Sequence, residues 1–264
     1  MTLIIGIKCS DGVVVGADGA ATFGNISQTT IQQPVRKLTV IEESIIVGAS
    51  GPVAIAQVYV SEIRRLAKSG HFTKYPAGVF SGIRDAVWPQ VEKEWKAAGV
   101  VSKAMGPQAM QSALSQAVVA MGILGQGSLV QFNHQCSPEE ATSDLPFIAI
   151  GSGQALADPF LSFLRRIFWA KKLPGLSEGI LATVWGLEHA IRINPGGVSG
   201  PVQIITLSRA KNSKGWVATE LSDEELGEHR QNMIDAETAL ASYRKGQQAG
   251  GEEAVAPPPT PPPV

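Results

Sequence analysis

The chain has little of what would assign it quickly. Only two cysteines, Cys9 and Cys136, occur in 264 residues, too few for a disulfide framework and in keeping with a reducing compartment. Charge of one sign is also missing: 22 basic against 23 acidic residues leave a net of −1, so no global field draws the protein to nucleic acid or an anionic membrane. No apolar run is long enough to span a bilayer, and the start, Met-Thr-Leu-Ile-Ile-Gly-Ile-Lys, lacks the basic head and long apolar stretch of a secretory signal. A cytoplasmic protein is the expectation. No Gly-x-Ser-x-Gly elbow is found, and His71, His189 and His229 lack neighbours that would suggest a triad.

What the chain does have is apolar, β-branched runs bounded by turn chemistry. Residues 3–7 and 13–17 flank Ser10-Asp11-Gly12, and Lys37–Ile41 and Ile45–Ala49 flank Glu42-Glu43-Ser44, giving two hairpins. Because these runs are continuously apolar, their strands are expected to be covered on both faces. Pro52 opens a helix to about Lys68, and a second helix is predicted from Pro76 to Ala98, with Pro89 kinking or interrupting it. A third hairpin is predicted from Gln116–Leu124 and Ser128–Gln135, followed by a strand over Phe147–Ile150. Helices over Leu156–Lys171 and Ser177–Ile193 come next, then strands over Val202–Leu207 and Trp216–Glu220. Ser222 and Glu225 make a capping box for a last helix reaching about Lys245. Beyond it apolar side chains give way to a proline-rich tail, expected to be extended or disordered. Three segments follow: a domain over 1–221, a helix over 222–245 and a tail over 246–264. Strict β/α alternation is absent, so the order fits an α+β fold, a four-layer αββα sandwich of two antiparallel sheets flanked by helices.

Several residues could carry chemistry. A threonine freed at the N-terminus can attack through its hydroxyl with its own α-amine as base. That amine titrates near about 8 in reference peptides, and a neighbouring ammonium lowers it further. Such a site needs a lysine, a carboxylate to hold the lysine, and backbone donors for an oxyanion. Thr2 at the start of the first strand, Asp18 after the second, Lys37 at the third and Gly51 after the fourth supply these parts in order. Each alone has a plainer reading as a strand start, a turn cap or a solvated edge charge; their joint order on strand ends favours the site.

The segments 2–18, Val35-Arg36-Lys37-Leu38 and Gly48-Ala-Ser-Gly51-Pro-Val-Ala-Ile-Ala-Gln57 resemble the start of a proteasome β subunit. Ile150-Gly151-Ser152-Gly153 and Ser199-Gly200 resemble later landmarks of that family, and the likeness is to bacterial proteasome homologues of the betaproteobacterial type. It implies an N-terminal nucleophile hydrolase fold and a self-compartmentalising threonine-type endopeptidase. Met1 removal would expose Thr2 as nucleophile and base, with Lys37 tuning the local potential, Asp18 orienting Lys37, the Gly51 amide facing the oxyanion, and Ser152 and Ser199 supporting the threonine amine. Ala21, Val35, Ala49 and Val53 would surround the specificity pocket and favour an uncharged side chain. One departure stands out: the family's aspartate before the second serine is replaced by Gly196, with Asn194 the nearest polar residue.

The resemblance further implies a homo-oligomer of stacked rings, two heptamers before two hexamers, acting on peptides or unfolded proteins, with an ATP-dependent unfoldase as a possible partner. It implies no cofactor and no metal. Two alternatives share the fold: a ring scaffold without turnover and a small-molecule amidase. Three other features have plain explanations. Gly151-Ser152-Gly153 lacks the third glycine of a dinucleotide loop. His134 and Cys136, two apart on a predicted strand, are two ligands at most. Trp88, Trp95, Trp169 and Trp185 on helices read as packing anchors.

Overall fold

The computed structural model describes residues 2–25, 28–111, 113–170, 172–194, 197–210 and 215–248, without side-chain detail for 21–32 and 245–248. In chain order the elements are β1 (Ile4–Lys8), β2 (Gly12–Ala17), β3 (Ala20–Asn25), β4 (Gln28–Pro34), β5 (Leu38–Ile41), β6 (Ile45–Ser50), α1 (Val53–Lys68), α2 (His71–Lys74) and, after a 3-10 turn, α3 (Val79–Met105). They continue as α4 (Gln108–Gln111), β7 (Gln116–Ile123), β8 (Gln126–Phe132), β9 (Pro138–Glu140), β10 (Phe147–Ile150), α5 (Gln154–Leu164), α6 (Leu176–Ile193), β11 (Gln203–Arg209), β12 (Trp216–Glu220) and α7 (Asp223–Gln248).

The first sheet has the order β10-β1-β2-β11-β12 and the second β5-β6-β7-β8-β9, every pairing antiparallel. Three apolar clusters define four layers. Ile4, Val13, Val15, Leu38, Ile46, Val118, Leu129 and Ile205 fill the space between the sheets. Leu3, Ile5, Ile7 and Val14 face Leu161, Val184 and Leu187 of α5 and α6. Ile45, Val47, Val119 and Val130 face Ile55, Tyr59, Ile83 and Val87 of α1 and α3. Alternate residues of β1 thus enter two different cores, which is why the strand reads as an unbroken apolar run. The fold is the expected α+β sandwich of two antiparallel sheets flanked by helices.

Some expectations are corrected. The stretch after Asp18 contains a further hairpin, β3 with β4, bulged between Phe23 and Gly24. Pro89 does not interrupt α3, which runs on to Met105. Proline forfeits one helical hydrogen bond, and Val87 and Val91, buried on either side, hold the segment against the second sheet. The Leu156–Lys171 helix starts at Gln154 and ends as a π turn over Arg165–Trp169. The β7–β8 turn is tighter than predicted, and β8 stops at Phe132. His134 and Cys136 therefore lie in a turn in which the Asn133 side chain accepts the N–H groups of Gln135 and Ser137. His134 Nδ1 meets the Ser115 carbonyl at 3.0 Å and the Tyr59 hydroxyl donates to Cys136 Sγ at 3.2 Å, so the two point to different partners. Among the described residues, no three potential ligands gather around a common point, and no helix is long and apolar enough to cross a membrane.

The capping box forms as predicted: Ser222 N–H donates to Glu225 at 2.7 Å and Glu225 N–H to the Ser222 hydroxyl at 3.3 Å. The helix it starts, α7, reaches Gln248 rather than Lys245. It docks on α6 through Leu226 and Met233, the Arg230–Glu188 ion pair, and a Trp185 indole N–H donated to Glu237. The tail beyond it lies outside the described residues.

Candidate active site

The strand ends on one side of the sandwich bring most of the predicted residues together. Asp18 follows β2 and is fully buried. Its Oδ1 accepts two bonds, from the Leu3 N–H at 2.8 Å and from Lys37 Nζ at 2.6 Å, while Oδ2 takes the Ala20 N–H at 3.4 Å. One carboxylate oxygen therefore joins the lysine ammonium to the peptide group next to Thr2. The Lys37 side chain is 8% exposed. Burial lowers its pKa from the ordinary lysine value, against the pull of the Asp18 charge and hydrogen bond. β2 places Asp18 here because Ala17 pairs with Ile4 in the β1–β2 hairpin, returning the chain to where it began.

Thr2 is held from the other side by the loop after β10. Its nitrogen, a peptide N–H while Met1 is attached, donates to Ser152 Oγ at 3.1 Å. Its carbonyl accepts the Gly153 N–H at 3.1 Å and the Ser152 hydroxyl at 3.5 Å. Gly151 turns this loop at φ +92°, and a β-carbon there would fall on the Thr2 carbonyl oxygen. Only glycine fits so close an approach.

Gly51 follows β6 at φ +105° and packs on the Leu114 carbonyl and the Ser115 backbone. A left-handed glycine at the end of this interior strand turns the chain into α1. Ser199 enters through its backbone: its carbonyl accepts the Gly19 N–H at 2.9 Å, and the Gly19 carbonyl accepts the Val35 N–H at 2.8 Å. These two bonds connect the loop before β11 to the Asp18 turn and to the segment carrying Lys37. Asn194 ends α6, its carbonyl accepting from Gly197 and Val198; Gly196, where the family's aspartate was expected, lies outside the described residues, as does Met1.

The four pocket residues are less gathered. Val35 is half-buried. Ala49 lies on the helix-facing side of β6 against the cluster under α1 and α3. Val53 stands on the first turn of α1, 61% exposed. Ala21 pairs through its backbone with Gln33, and its side chain is not among those described. Two open surface clefts lie elsewhere, one of about 580 Å³ lined in part by Phe72 and Trp216 and one of about 460 Å³ beside β10 and α5. Sequence reasoning missed Gln116 and Gln203, whose side-chain amides accept the N–H groups of Gly151 and of Leu38, the residue after Lys37.

Residues 2–78 match the Proteasome subunit family, the segment that carries Thr2, Asp18, Lys37 and Gly51. An Anbu mutant from Hyphomicrobium sp. strain MC1 superposes with a TM-score of 0.65 at 18% identity, covering 97% of this chain and 100% of that one. Anbu, described as an ancestral β-subunit, from Yersinia bercovieri superposes with a TM-score of 0.60 at 12% identity, covering 91% and 97%. No curated protein matches the chain in sequence.

Proposed function

We propose that this chain is a threonine-type endopeptidase subunit that loses Met1 and acts through Thr2. The observation that carries the reading is the shared Asp18 oxygen, which sets a desolvated Lys37 ammonium beside the start of β1. Once the peptide bond to Met1 is cut, the nitrogen beside Ser152 becomes an α-amine. The nearby Lys37 charge favours its neutral form, which takes the proton of the Thr2 hydroxyl as that oxygen attacks the substrate carbonyl. Gly51 N–H faces the resulting oxyanion. The amine returns its proton to the leaving amine, and water then hydrolyses the ester on Thr2 by the same route. Ser152 orients the amine, and Ser199 braces the Asp18 turn through Gly19. The apolar Val35, Ala49 and Val53, with Ala21, favour an uncharged residue before the cleaved bond. The catalytic domain runs to about residue 221, with α7 a helical addition packed on α6. Copies assemble as a stacked ring, heptameric before hexameric, enclosing the sites around peptides or unfolded chains delivered by an unfoldase.

The test has two stages. Intact mass reports whether Met1 is removed; retention would leave the amine blocked and favour a scaffold without turnover. A peptide epoxyketone then reports the nucleophile: one adduct on Thr2, lost in Thr2→Ala while assembly persists, is the expected result. An unmodified wild-type chain with Met1 gone would end the proposal, and turnover of a small amide with no peptide cleavage would select the amidase.

A further inference from the structure

The core between the sheets is apolar along most of its length, yet at the Thr2 end the sheets are joined by polar side chains. The Asp18–Lys37 pair is one such tie, from the end of β2 in the first sheet to the residue before β5 in the second. Two glutamines provide others. Gln203, the first residue of β11, is buried. Its Nε2 donates to the Leu38 carbonyl at 3.3 Å and its Oε1 accepts the Leu38 N–H at 3.1 Å. The amide thus satisfies both main-chain groups of the residue after Lys37, as a neighbouring strand would.

Gln116 is the first residue of β7 in the second sheet, opposite Ser50 in register. Its Oε1 accepts the Gly151 N–H at 3.3 Å across to the first sheet, and Gly151 lies against Thr2. Immediately before Gln116, the Leu114 carbonyl and Ser115 backbone support Gly51. Gln116 therefore belongs to a short continuous segment touching Gly51 on one side and the Thr2 loop on the other. Each glutamine is rooted in one sheet and grips the backbone beside a site residue carried by the other. Apolar residues of similar volume would fill the space, whereas a directional amide fixes a register.

We propose that Gln203 and Gln116 are positioning residues that set the two sheets in register at the site, Gln203 for Lys37 and Gln116 for Thr2 against Gly51. This rests on the reading of Thr2 as nucleophile. Neither amide exchanges a proton; each acts through the backbone it holds, and displacements of about 1 Å in such arrangements cost on the order of a hundredfold in rate.

The experiment uses the full-length assembly with Gln203→Met, Gln116→Met and the isosteric Gln203→Glu and Gln116→Glu. The rate of epoxyketone labelling of Thr2 is followed, and hydrogen exchange is followed over residues 35–41 and 147–156. The Met variants are expected to label about tenfold or more slowly. Exchange should quicken over 35–41 for Gln203→Met and over 147–156 for Gln116→Met. Gln203→Glu keeps the acceptor for Leu38 N–H but loses the Nε2 donor to the Leu38 carbonyl, so its labelling rate and its exchange over 35–41 should fall between those of Gln203→Met and wild type; a residue that only filled space would show no such partial rescue by the isostere. Folded Met variants labelling within about twofold of wild type would overturn the proposal. If wild type is not labelled at Thr2, the nucleophile reading fails separately, and unchanged exchange in both segments would then refute the register role as well.

Discussion

Replacing Asp18 by asparagine removes one charge from the site and almost no volume, and its cost can be worked from the geometry. The asparagine Oδ1 can still accept from Leu3 and Lys37, so the two short bonds have an acceptor; only the 3.4 Å bond from Ala20 loses its partner. The main effect is a lysine ammonium left 8% exposed without its counter-charge. Breaking a buried pair from one side costs about 3–5 kcal/mol. A ceiling comes from deprotonation: neutralising a lysine of ordinary pKa, about 10.4, at neutral pH costs about 5 kcal/mol at about 1.4 kcal/mol per unit. The two routes bracket a cost of about 4–5 kcal/mol, and at roughly 2–4 °C per kcal/mol for a chain of this size the melting temperature should fall by roughly 10–15 °C. If Lys37 responds by losing its proton, the folded variant binds fewer protons than the unfolded chain. Its stability deficit should then shrink as pH rises from neutrality toward the ordinary lysine value. Adding Lys37→Met should restore most of the loss, since a buried pair and a packed apolar substitute are often close in stability, while Thr2 labelling stays absent. Thermal melts of the single and double variants at neutral and alkaline pH decide the matter. A single variant within about 1 kcal/mol of wild type, with no dependence on pH, would refute the assigned burial and pairing.

Gly51→Ala places a β-carbon on the Leu114 carbonyl at φ +105°; it should cost about 1–3 kcal/mol and abolish Thr2 labelling, and normal labelling would remove the Gly51 amide from the oxyanion site. Ser222→Ala breaks the capping box of α7 and should cost about 1 kcal/mol, read as a small fall in melting temperature with labelling retained. His229 has its pKa lowered by burial, against the pull of Glu228 and Glu225. The folded state therefore binds fewer protons than the unfolded one, and this stability contribution, present above about pH 6.5, is lost as pH falls below it; His229→Gln should flatten that part of the stability curve.

Which parts of the molecule could be read from the sequence follows from where their partners lie. β10 and β12 match their predicted spans because Gly151 closes the first abruptly and Gly215 opens the second. The β3–β4 hairpin has no such contrast: Gln28–Pro34 is polar and closes on proline, a poor strand signature. Gly99 reads as a place for α3 to end, but the helix passes through it. Asn133 was the readable sign that β8 stops early, since its side chain organises the following turn. The order of Thr2, Asp18, Lys37 and Gly51 was legible because hairpin geometry returns successive strand ends to one edge. Gln116 and Gln203 were not, because their partners lie 35 and 165 residues away and nothing local marks a glutamine as a cross-sheet tie.

The placement of polar groups also separates stability from function. A buried ion pair seldom stabilises a fold more than apolar residues would, so Asp18 and Lys37 are poorly explained as props for the sandwich. The inter-sheet layer holds together through Ile4, Val13, Leu38, Ile46, Val118 and Leu129; it becomes polar where β1, β2, β5, β6 and β10 meet the loops around Thr2, and again at the far end of β1, where Lys8 reaches Glu140 and the Ala141 carbonyl. Around Thr2 the bonds from Leu3 and Lys37 to Asp18, from Leu38 to Gln203 and from Gly151 to Gln116 fix backbone positions that a hydrophobic contact would leave free to slide. The site proposed above, which would align a threonine amine, an ammonium and a backbone donor carried by two different sheets, needs that kind of constraint. The Asp18→Asn/Lys37→Met variant should therefore fold and assemble with its register held by the two glutamines, and fail only in chemistry; a double variant that cannot assemble would show that the pair is structural after all.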